Sequence, residues 1–390
     1  MMGSWAAIGA SARREWGFLW RSRWDMALSV WVPWLLIGLV MIVFLNGTLR
    51  HVPIAVVDHD HSETSRSLIR KLSASPGIHV KAVPASLEEA WSLVRRLDVY
   101  AVVHIPSDVS RQMARGGSGT VFAFYNASYM TIGQSAARDI AAALQAQNIE
   151  TTRMRSQYLK DRPALAAVPV QVQSTVLFNA ARSYEHFLVG LVAPAILQLA
   201  FCLSVVAAFG RELRDGTVAA WLAACDGRLV AAALGKLLPY LVLFLAHGAA
   251  TLFWLAHVRG DGIAGSAVVL MLGYAALYLA YAAMAVLLVG LTRNMATALS
   301  LTGMYTGVAL AFSGGTFPLI GGPLFTQIWS YLLPFTAYVQ LQMQQLDMGA
   351  PWHVSMWQVS AMLMFLVIAG PIGMALYRRA ADDPASWGQR

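Results

Sequence analysis

The sequence predicts a polytopic α-helical membrane protein with one α/β domain inserted after its first membrane span. Three observations predict this class. The chain of 390 residues is 57% hydrophobic and only 12% charged, about half the charged fraction of an ordinary soluble domain. Its charge is concentrated, because residues 48–183 hold 25 of the 48 Asp, Glu, Lys and Arg residues. Several charge-free runs also reach the ~20 residues that a helix needs to cross a bilayer.

These runs predict six spans. Five of them occupy 26–49, 187–210, 237–258, 262–292 and 348–377. A longer run, 294–346, is interrupted by prolines and glycines, so we expect one span near 295–312 and then an external re-entrant region at 313–354. The first run exceeds the ~7–15-residue apolar core of a signal peptide and should remain in the protein as the first span, 26–47.

The distribution of arginines predicts that both termini are cytoplasmic. On that side lie Arg13, Arg14, Arg21, Arg23, Arg211, Arg214, Arg228, Arg293, Arg378 and Arg379. The opposite side offers Arg259 alone. We therefore expect residues 48–183 to be extracytoplasmic and residues 1–25 to form an interfacial amphipathic helix on the inner surface. The net charge of +8 reflects this bias and gives no indication of nucleic-acid binding.

The inserted domain alternates short β-branched runs with helical stretches. Strands are predicted at 53–57, 78–83, 99–105, 120–125 and 170–174, and helices at 62–74, 87–96, 107–115 and 129–160. Strands separated by helices of about ten residues predict an α/β sheet that is at least partly parallel. The only cysteines, Cys202 and Cys225, lie outside this domain, so its core must form without a disulfide.

The stretch 56-VVDHDHSETSR-66 raises the question of a metal site. His59 and His61 could share one face of an extended chain, but two histidines supply only half of a tetrahedral zinc site. The structural alternative is favoured. Asp58 would brace the turn after the strand, and Asp60 or Ser62 would cap the next helix, with Asp60 and Glu63 in capping-box spacing.

Four segments resemble the permease subunits of type-2 ABC exporters, in particular the branch with a large extracytoplasmic domain after the first span. They are 53-PIAVVDHDHSETSRSLIRKLSAS-75, 177-LFNAARSYEHFLVGLVAP-194, 212-ELRDGTVAAWL-222 and 235-GKLLPYL-241. Their order along the chain is that of the family. The sequence departs from the family pattern at Ala219, where Glu is usual, at 225–226, where a proline is usual, and at 179–180, where Asn-Pro is usual.

The resemblance implies that the loop at 211–228 is a coupling helix seated on a separate cytoplasmic ATPase. The residues it places at that contact are Arg211, Glu212, Arg214, Asp215, Gly216 and Thr217. It also implies that the N-terminal helix touches the ATPase. From spacing alone, the loop could equally be an interfacial connector, and the N-terminal helix could be anchored only at lipid headgroups by its Trp and Arg residues.

ATP hydrolysis is not expected from this chain. A P-loop requires GxxxxGK[ST], and the only Gly-Lys pair, Gly235-Lys236, is followed by Leu237. No cofactor is expected in the chain, and ATP and magnesium should be bound by the partner ATPase. The sequence also contains no GxSxG or HExxH motif.

Polar residues within spans are candidates for a transport pathway. Gln198 and His247 stand out, although interhelical hydrogen bonding is the favoured interpretation for neutral side chains. The motif 313-SGGTFPLIGGP-323 resembles the external re-entrant region of the family. This resemblance makes Gly314, Gly315, Phe317 and Pro318 candidates for an outer gate. The alternative is that these glycines and prolines only form turns in a loop.

The resemblance thus implies the permease subunit of an exporter in the bacterial inner membrane, moving a drug, lipid or other amphiphile. The expected partners are ABC ATPase subunits, a second permease copy or paralogue, a periplasmic adaptor protein and membrane lipids. Two alternatives remain, a secondary transporter driven by an ion gradient and a membrane-anchored sensor. The first would need intramembrane carboxylates or inverted repeats, neither of which is evident, and the second would not need six spans.

Overall fold

The long apolar runs of the sequence fold into long helices in the computed structural model. The structure describes residues 3–43, 51–114, 119–126, 130–158, 184–260, 262–316, 319, 322–383 and 387–388. Contacts divide the chain into two compact units. One unit comprises Met1–Gly47 and Val176–Arg390 and is helical, and the other comprises Thr48–Thr175 and contains a β-sheet.

The helical unit begins with α1 (Ser4–Arg21), α2 (Arg23–Met26), a π-helical turn (Ala27–Trp31) and α3 (Val32–Val43). It continues with α8 (Tyr184–Arg214), α9 (Val218–Ala223), α10 (Leu229–Phe253, extended by a π-helical turn at Trp254–Val258), α11 (Ala267–Thr292) and α12 (Met295–Gly307). It ends with α13 (Leu324–Tyr331), α14 (Pro334–Gln342, extended by a π-helical turn at Met343–Asp347) and α15 (Trp352–Asp382).

Five helical segments of the described chain are long and apolar enough to cross a membrane. They are Arg23–Val43, Glu185–Arg214, Leu229–Val258, Ala267–Thr292 and Trp352–Asp382. The predicted count of six is not confirmed. Helix α12, at the predicted fifth span, has 13 residues, which at ~1.5 Å per residue covers about 20 Å. Turns follow it up to Thr316, so this helix alone is too short to cross ~30 Å of hydrocarbon.

The first span contains a local change of helix type. The backbone N–H of Val32 donates to the carbonyl of Ala27, one residue further back than in an α-helix. Pro33 follows immediately and has no N–H to continue the α-helical ladder. The π-helical turn is therefore placed where the proline interrupts the hydrogen-bond pattern.

Helix α1 is amphipathic, as predicted, but its inner side packs on protein. Its buried residues recur every four positions, at Ala7, Ser11, Glu15 and Leu19. Two of them, Ser and Glu, are polar, which is unusual for a buried stripe. Their contacts with α10 define the site described below.

The α/β unit contains β1 (Val52–Asp58), α4 (Glu63–Ala74), β2 (Ile78–Ala82), α5 (Leu87–Arg95), β3 (Ala101–Ile105), α6 (Val109–Ala114), β4 (Phe122–Tyr125) and α7 (Met130–Tyr158). These positions confirm the predicted strands and helices up to residue 158. The predicted strand at 170–174 lies outside the described residues.

The sheet is mixed, as the sequence predicted. Its strand order is β2-β1-β3-β4, with β1 parallel to β2 and β3, and with β4 antiparallel to β3. Successive residues of β1 point to opposite faces. Ile54 and Val56 join a core with α4 and α7, whereas Ala55 and Val57 join a core with α5. Helices therefore cover both faces of β1, which explains its continuous apolar run.

Candidate functional site

The most unusual grouping of side chains lies where α1, the end of α8 and the start of α10 meet. Helix α8 ends at Arg214, and the chain turns through Gly216, which has a φ of +65°. A side chain at that position would be strained, because the left-handed region favours glycine. The turn directs the chain into α9, and α10 then returns alongside α1.

Glu15 of α1 holds the centre of this grouping. Its Oε1 accepts hydrogen bonds from Arg211 Nη2 at 2.6 Å and from Tyr240 Oη at 2.8 Å. Its Oε2 accepts one from Lys236 Nζ at 2.5 Å. The carboxylate is therefore bonded to α8 through Arg211 and to α10 through both other residues.

Glu212 forms the second half of the same network. Its Oε1 accepts a hydrogen bond from Lys236 Nζ at 2.8 Å, so one lysine joins two carboxylates. Arg14 of α1 approaches Glu212 with both terminal nitrogens, at 2.9 and 3.0 Å. Thr217 donates its hydroxyl to Glu212 Oε2 at 2.5 Å. We call Glu15, Arg211, Glu212 and Lys236 the buried ion network.

These charges are removed from solvent. The exposed fractions are 1% for Glu15 and Lys236, 2% for Glu212 and 6% for Arg211. Burying ions costs free energy that attraction recovers only when geometry and hydrogen bonding are good. Two carboxylates facing two cations meet that condition. Aromatic rings cover the cations, because Arg211 Cζ lies 3.3 Å from the Phe18 ring centroid and Lys236 Nζ lies 4.9 Å from that of Trp221.

The network keeps the carboxyl of Glu15 ionised. Burial alone would raise the pKa of Glu15. The charges of Lys236 and Arg211, with the hydrogen bonds that both donate, outweigh burial and hold the pKa of Glu15 below its usual value.

Close backbone packing brings α1 against α10. A Cβ on Gly235 would lie 2.3 Å from the carbonyl oxygen of Ile8, so no larger residue fits without moving one of the helices. Ser11 donates its hydroxyl to the carbonyl of Ala232 at 2.7 Å. Trp221 of α9 donates its indole N–H to Ser11 Oγ at 2.9 Å. Helix α9 is thereby joined to the same pair of helices.

Comparison with known families decides what kind of protein carries this site. The model of the ABC-2 family transporter protein matches residues 23–377. The chain belongs to this family. It is a permease subunit of an ABC-2 type transporter, a multi-span membrane protein whose family is expected to work with an ABC ATPase subunit. A comparison with curated proteins finds no match.

Of the permease residues that were predicted to contact an ATPase, some are buried in the structure and others are exposed. Arg211 and Glu212 are buried in the ion network, so we assign them to internal pairing rather than to the surface of the 211–228 segment. Arg214 and Asp215 are exposed and pair with each other at 2.8 Å. Gly216 forms the turn, and Thr217 donates to Glu212. Contact of an ATPase with the segment that holds these six residues stays a prediction.

Sequence reasoning missed half of the buried ion network. Glu15 was one of two acidic residues, with Asp25, in the segment 1–25 that was interpreted as interfacial, and Lys236 stood at the edge of an apolar run. A charged residue at the start of a spanning helix is a signal for a buried partner. That signal identifies Lys236 as a candidate but does not say which carboxylate it meets.

The two candidate pathway residues of the permease are packed between helices. Gln198 Nε2 donates to the carbonyl of Thr306 at 3.0 Å, which joins α8 to α12. His247 lies against the rings of Trp34 and Phe244, with centroids 5.4 Å away in each case. The bond of Gln198 matches the interhelical interpretation, whereas His247 makes ring contacts with Trp34 of α3 and Phe244 of its own helix. A pathway role for either residue stays a prediction.

Two of the four candidate gate residues are described. A Cβ on Gly315 would lie 2.8 Å from Leu191 Cδ2, so this glycine allows a close approach to α8. Gly314 adjoins it in the turn after α12. Phe317 and Pro318 lie outside the described residues. A gate at this place stays a prediction.

The acidic motif after β1 braces a turn, as its favoured interpretation predicted. Asp58 Oδ1 accepts the backbone N–H of Asp60 at 3.0 Å and of His61 at 3.1 Å. The helix cap differs from the predicted capping box. Ser62 is the N-cap and accepts the N–H of Ser65. Asp60 instead accepts hydrogen bonds from two hydroxyls, that of Ser62 in the same turn and that of Ser110 on α6.

His59 of this motif pairs with a histidine on a neighbouring strand rather than with His61. The partner of His59 is His104 on β3, with Nδ1 and Nε2 3.2 Å apart. His59 Nε2 also lies 3.2 Å from the carbonyl oxygen of Ala85. In the part of the chain that the structure describes, no group of three or more His, Cys, Asp or Glu residues could hold a metal ion. A metal on His59 and His61 is therefore not supported.

Proposed function

We propose that this permease exports a drug, lipid or other amphiphile across the bacterial inner membrane, driven by ATP hydrolysis on a separate ATPase. In this proposal both termini and the 211–228 segment are cytoplasmic, and residues 48–183 are periplasmic. Two permease chains, identical or paralogous, would form the pathway, and the periplasmic domain would engage substrate or an adaptor protein.

The observation that carries the proposal is the buried ion network at the base of the 211–228 segment. Glu212 lies at the end of α8, Lys236 in the first turns of α10, and Glu15 on α1. A displacement of the segment would therefore move the spanning helices α8 and α10 together with α1, instead of only deforming a loop. Directional ion pairs in a dry environment resist such bending.

The motion would continue into the first span. Helix α1 is followed directly by α2 and the π-helical turn, in which Ser29 hydroxyl lies 3.1 Å from Ser204 hydroxyl on α8. Asp25 also accepts a hydrogen bond from Arg211 at 3.2 Å. ATP binding that closes the nucleotide sites would thus shift α3, α8 and α10 as a group and open a route outward.

The exposed side of the 211–228 segment is the proposed docking surface for the ATPase. Arg214, Asp215, Ala219, Ala220 and Ala223 are exposed there. The buried side, which includes Val218 and Trp221, faces the protein. A short helix held by its inner face and free on its outer face can transmit force between two subunits.

The test compares two matched double variants of the tagged full-length chain. Arg214→Glu with Ala219→Trp changes the docking surface, and Arg378→Glu with Ala375→Trp makes the same changes at exposed positions of α15. Each is purified from native membranes in mild detergent, and the accompanying P-loop ATPase is quantified with its ATP turnover. We expect the first variant to lose the ATPase and the second to keep it, at unchanged thermal midpoints. Equal retention of the ATPase by both would contradict the proposal.

A further inference from the structure

An open cavity of about 450 Å³ lies beside the buried ion network, between α1 and the end of α8. Its lining is Arg13, Arg14, Glu15, Gly17, Phe18, Arg21, Arg211, Glu212, Asp215 and Thr217. All of these residues belong to the helical unit. We call it the basic cavity.

The cavity carries positive charge that the protein does not neutralise. Glu15 and Glu212 are already paired with the cations of the buried ion network, and Asp215 is paired with Arg214. Within the described residues, neither Arg13 nor Arg21 makes an ion pair with a carboxylate. Arg13 Nε donates to the carbonyl of Gly9 at 3.3 Å, which leaves its two terminal nitrogens, and the guanidinium of Arg21, for an anion from outside the chain.

The position of the cavity indicates where that anion comes from. Arg21 is the last residue of α1, and the first candidate span begins at Arg23. Trp16 and Trp20 are exposed on α1 and lie three and seven residues after Arg13, on the same helical face. Exposed tryptophans and arginines at the end of a span are typical of the membrane–water interface, where lipid phosphates lie.

We propose that the basic cavity binds the headgroup phosphate of an anionic phospholipid, with Arg13 and Arg21 as its ligands. Guanidinium groups match phosphate oxygens with two parallel hydrogen bonds, and basic pockets beside spanning helices favour anionic headgroups. Arg14 is not a ligand, because both of its terminal nitrogens are bonded to Glu212.

The test uses the purified full-length chain in a neutral detergent, without any ATPase. Binding of a soluble short-chain phosphatidylglycerol is measured by calorimetry and native mass spectrometry, beside the matching phosphatidylcholine and inorganic phosphate. We expect one phosphatidylglycerol per chain, with phosphatidylcholine and phosphate both weaker. Arg13→Gln with Arg21→Gln should weaken phosphatidylglycerol binding by about tenfold or more. Arg378→Gln with Arg379→Gln removes the same charge at the end of α15 and should leave binding unchanged.

A charge-neutral variant tests the cavity itself. Gly17 lines the cavity, and a Cβ there would meet no atom within 4 Å, so Gly17→Phe can begin a side chain at this wall of the cavity and occupy its space. Gly38→Phe is the matched control, since Gly38 is helical with equally open surroundings. We expect Gly17→Phe to abolish phosphatidylglycerol binding and Gly38→Phe to preserve it.

Three outcomes would overturn the inference. Equal weakening by the two arginine pairs would show that only net charge matters, and binding that survives Gly17→Phe would place the lipid elsewhere. Inorganic phosphate binding as tightly as phosphatidylglycerol would make this a free-phosphate site. Because the measurement needs no ATPase, failure here leaves the proposed function untouched, and loss of ATPase docking in the earlier test leaves this inference untouched.

Discussion

The buried ion network and the turn after β1 both contain hydrogen-bonded carboxylates, but the carboxylates of the two regions bond to partners at very different distances along the chain. In the turn, Asp58 bonds groups two to seven residues away. In the network, Glu15 bonds groups 196 to 225 residues away. The turn groups other than Ser65 are exposed or half-buried, whereas all four side chains of the network are buried. The dense cluster in the sequence thus shapes a local turn, and the sparse charges hold helices together.

The largest expected effect comes from removing the shared cation of the network. Lys236→Met leaves Glu15 and Glu212 buried with too little positive charge, which should cost about 3–5 kcal/mol of unfolding free energy. The matched change in the α/β unit is Lys81→Met, which breaks an exposed ion pair with Asp98 and should cost no more than about 1 kcal/mol. Thermal unfolding of the purified full-length chain measures both.

A second variant identifies the cause of the loss. Glu15→Gln combined with Lys236→Met should recover part of the stability, because one uncompensated carboxylate is neutralised. If Lys236→Met were no more harmful than Lys81→Met, the dry network would contribute no more than a surface pair, and the contrast between the two regions would fail.

The next effect tests the close helix packing that makes the network possible. Gly235→Ala forces a methyl group against the carbonyl of Ile8, because a Cβ at this position would lie 2.3 Å from that oxygen. Overpacking of this kind should cost about 1–3 kcal/mol. Gly38→Ala is the control, since that Cβ meets nothing within 4 Å and alanine favours a helix. A higher or unchanged thermal midpoint for Gly235→Ala would show that α1 and α10 are not in close contact.

Acid should weaken the network through Glu15. The pKa of Glu15 is lower in the folded chain than its ordinary value, so ionised Glu15 stabilises the fold above that ordinary value. This contribution is lost as the pH falls through the lower, folded pKa. Thermal midpoints from about pH 7 to about pH 3 should therefore fall less steeply for Glu15→Gln than for the parent chain.

The turn provides the comparison for this titration. Burial alone would raise the pKa of Asp60, but hydrogen bonds from Ser62 and Ser110 outweigh it and lower the pKa, so the sign is the same. Asp60 has no buried cation as a partner in the described chain. Asp60→Asn should reduce the fall of the thermal midpoint at acid pH by less than Glu15→Gln does. The reverse order would remove the distinction between the two regions.

Local patterns predicted local structure well. Strand β1 and helix α4 begin and end within one residue of their predicted bounds. Hydrophobic patterns and helix caps depend on residues that are close together in the sequence. The bracing role of Asp58 was predictable for the same reason. The capping box was wrong in detail, since Ser62 competes for the same N-cap position and reaches the free amide of Ser65.

Long-range pairing was not predictable from spacing. Nothing near Glu15 specifies a partner 221 residues later, and the interfacial interpretation of α1 accounted for its charge without any partner. The burial of Arg211 and Glu212 could not be predicted for a related reason. A helical segment has two sides, and which side is buried depends on α1, which is far away in the sequence.

The smallest expected effect concerns the histidine pair beside the turn. Burial and the neighbouring His59 both lower the pKa of His104, so His104 stays neutral to lower pH than an ordinary histidine. In ¹³C-histidine-labelled full-length chain, the NMR titration midpoint of His104 should lie below the ordinary histidine pKa of about 6.5. His59→Gln should raise the midpoint of His104, because the charge repulsion is removed while burial remains. An unchanged midpoint in His59→Gln would show that the two rings do not interact in solution, and the pair would then be a packing contact only.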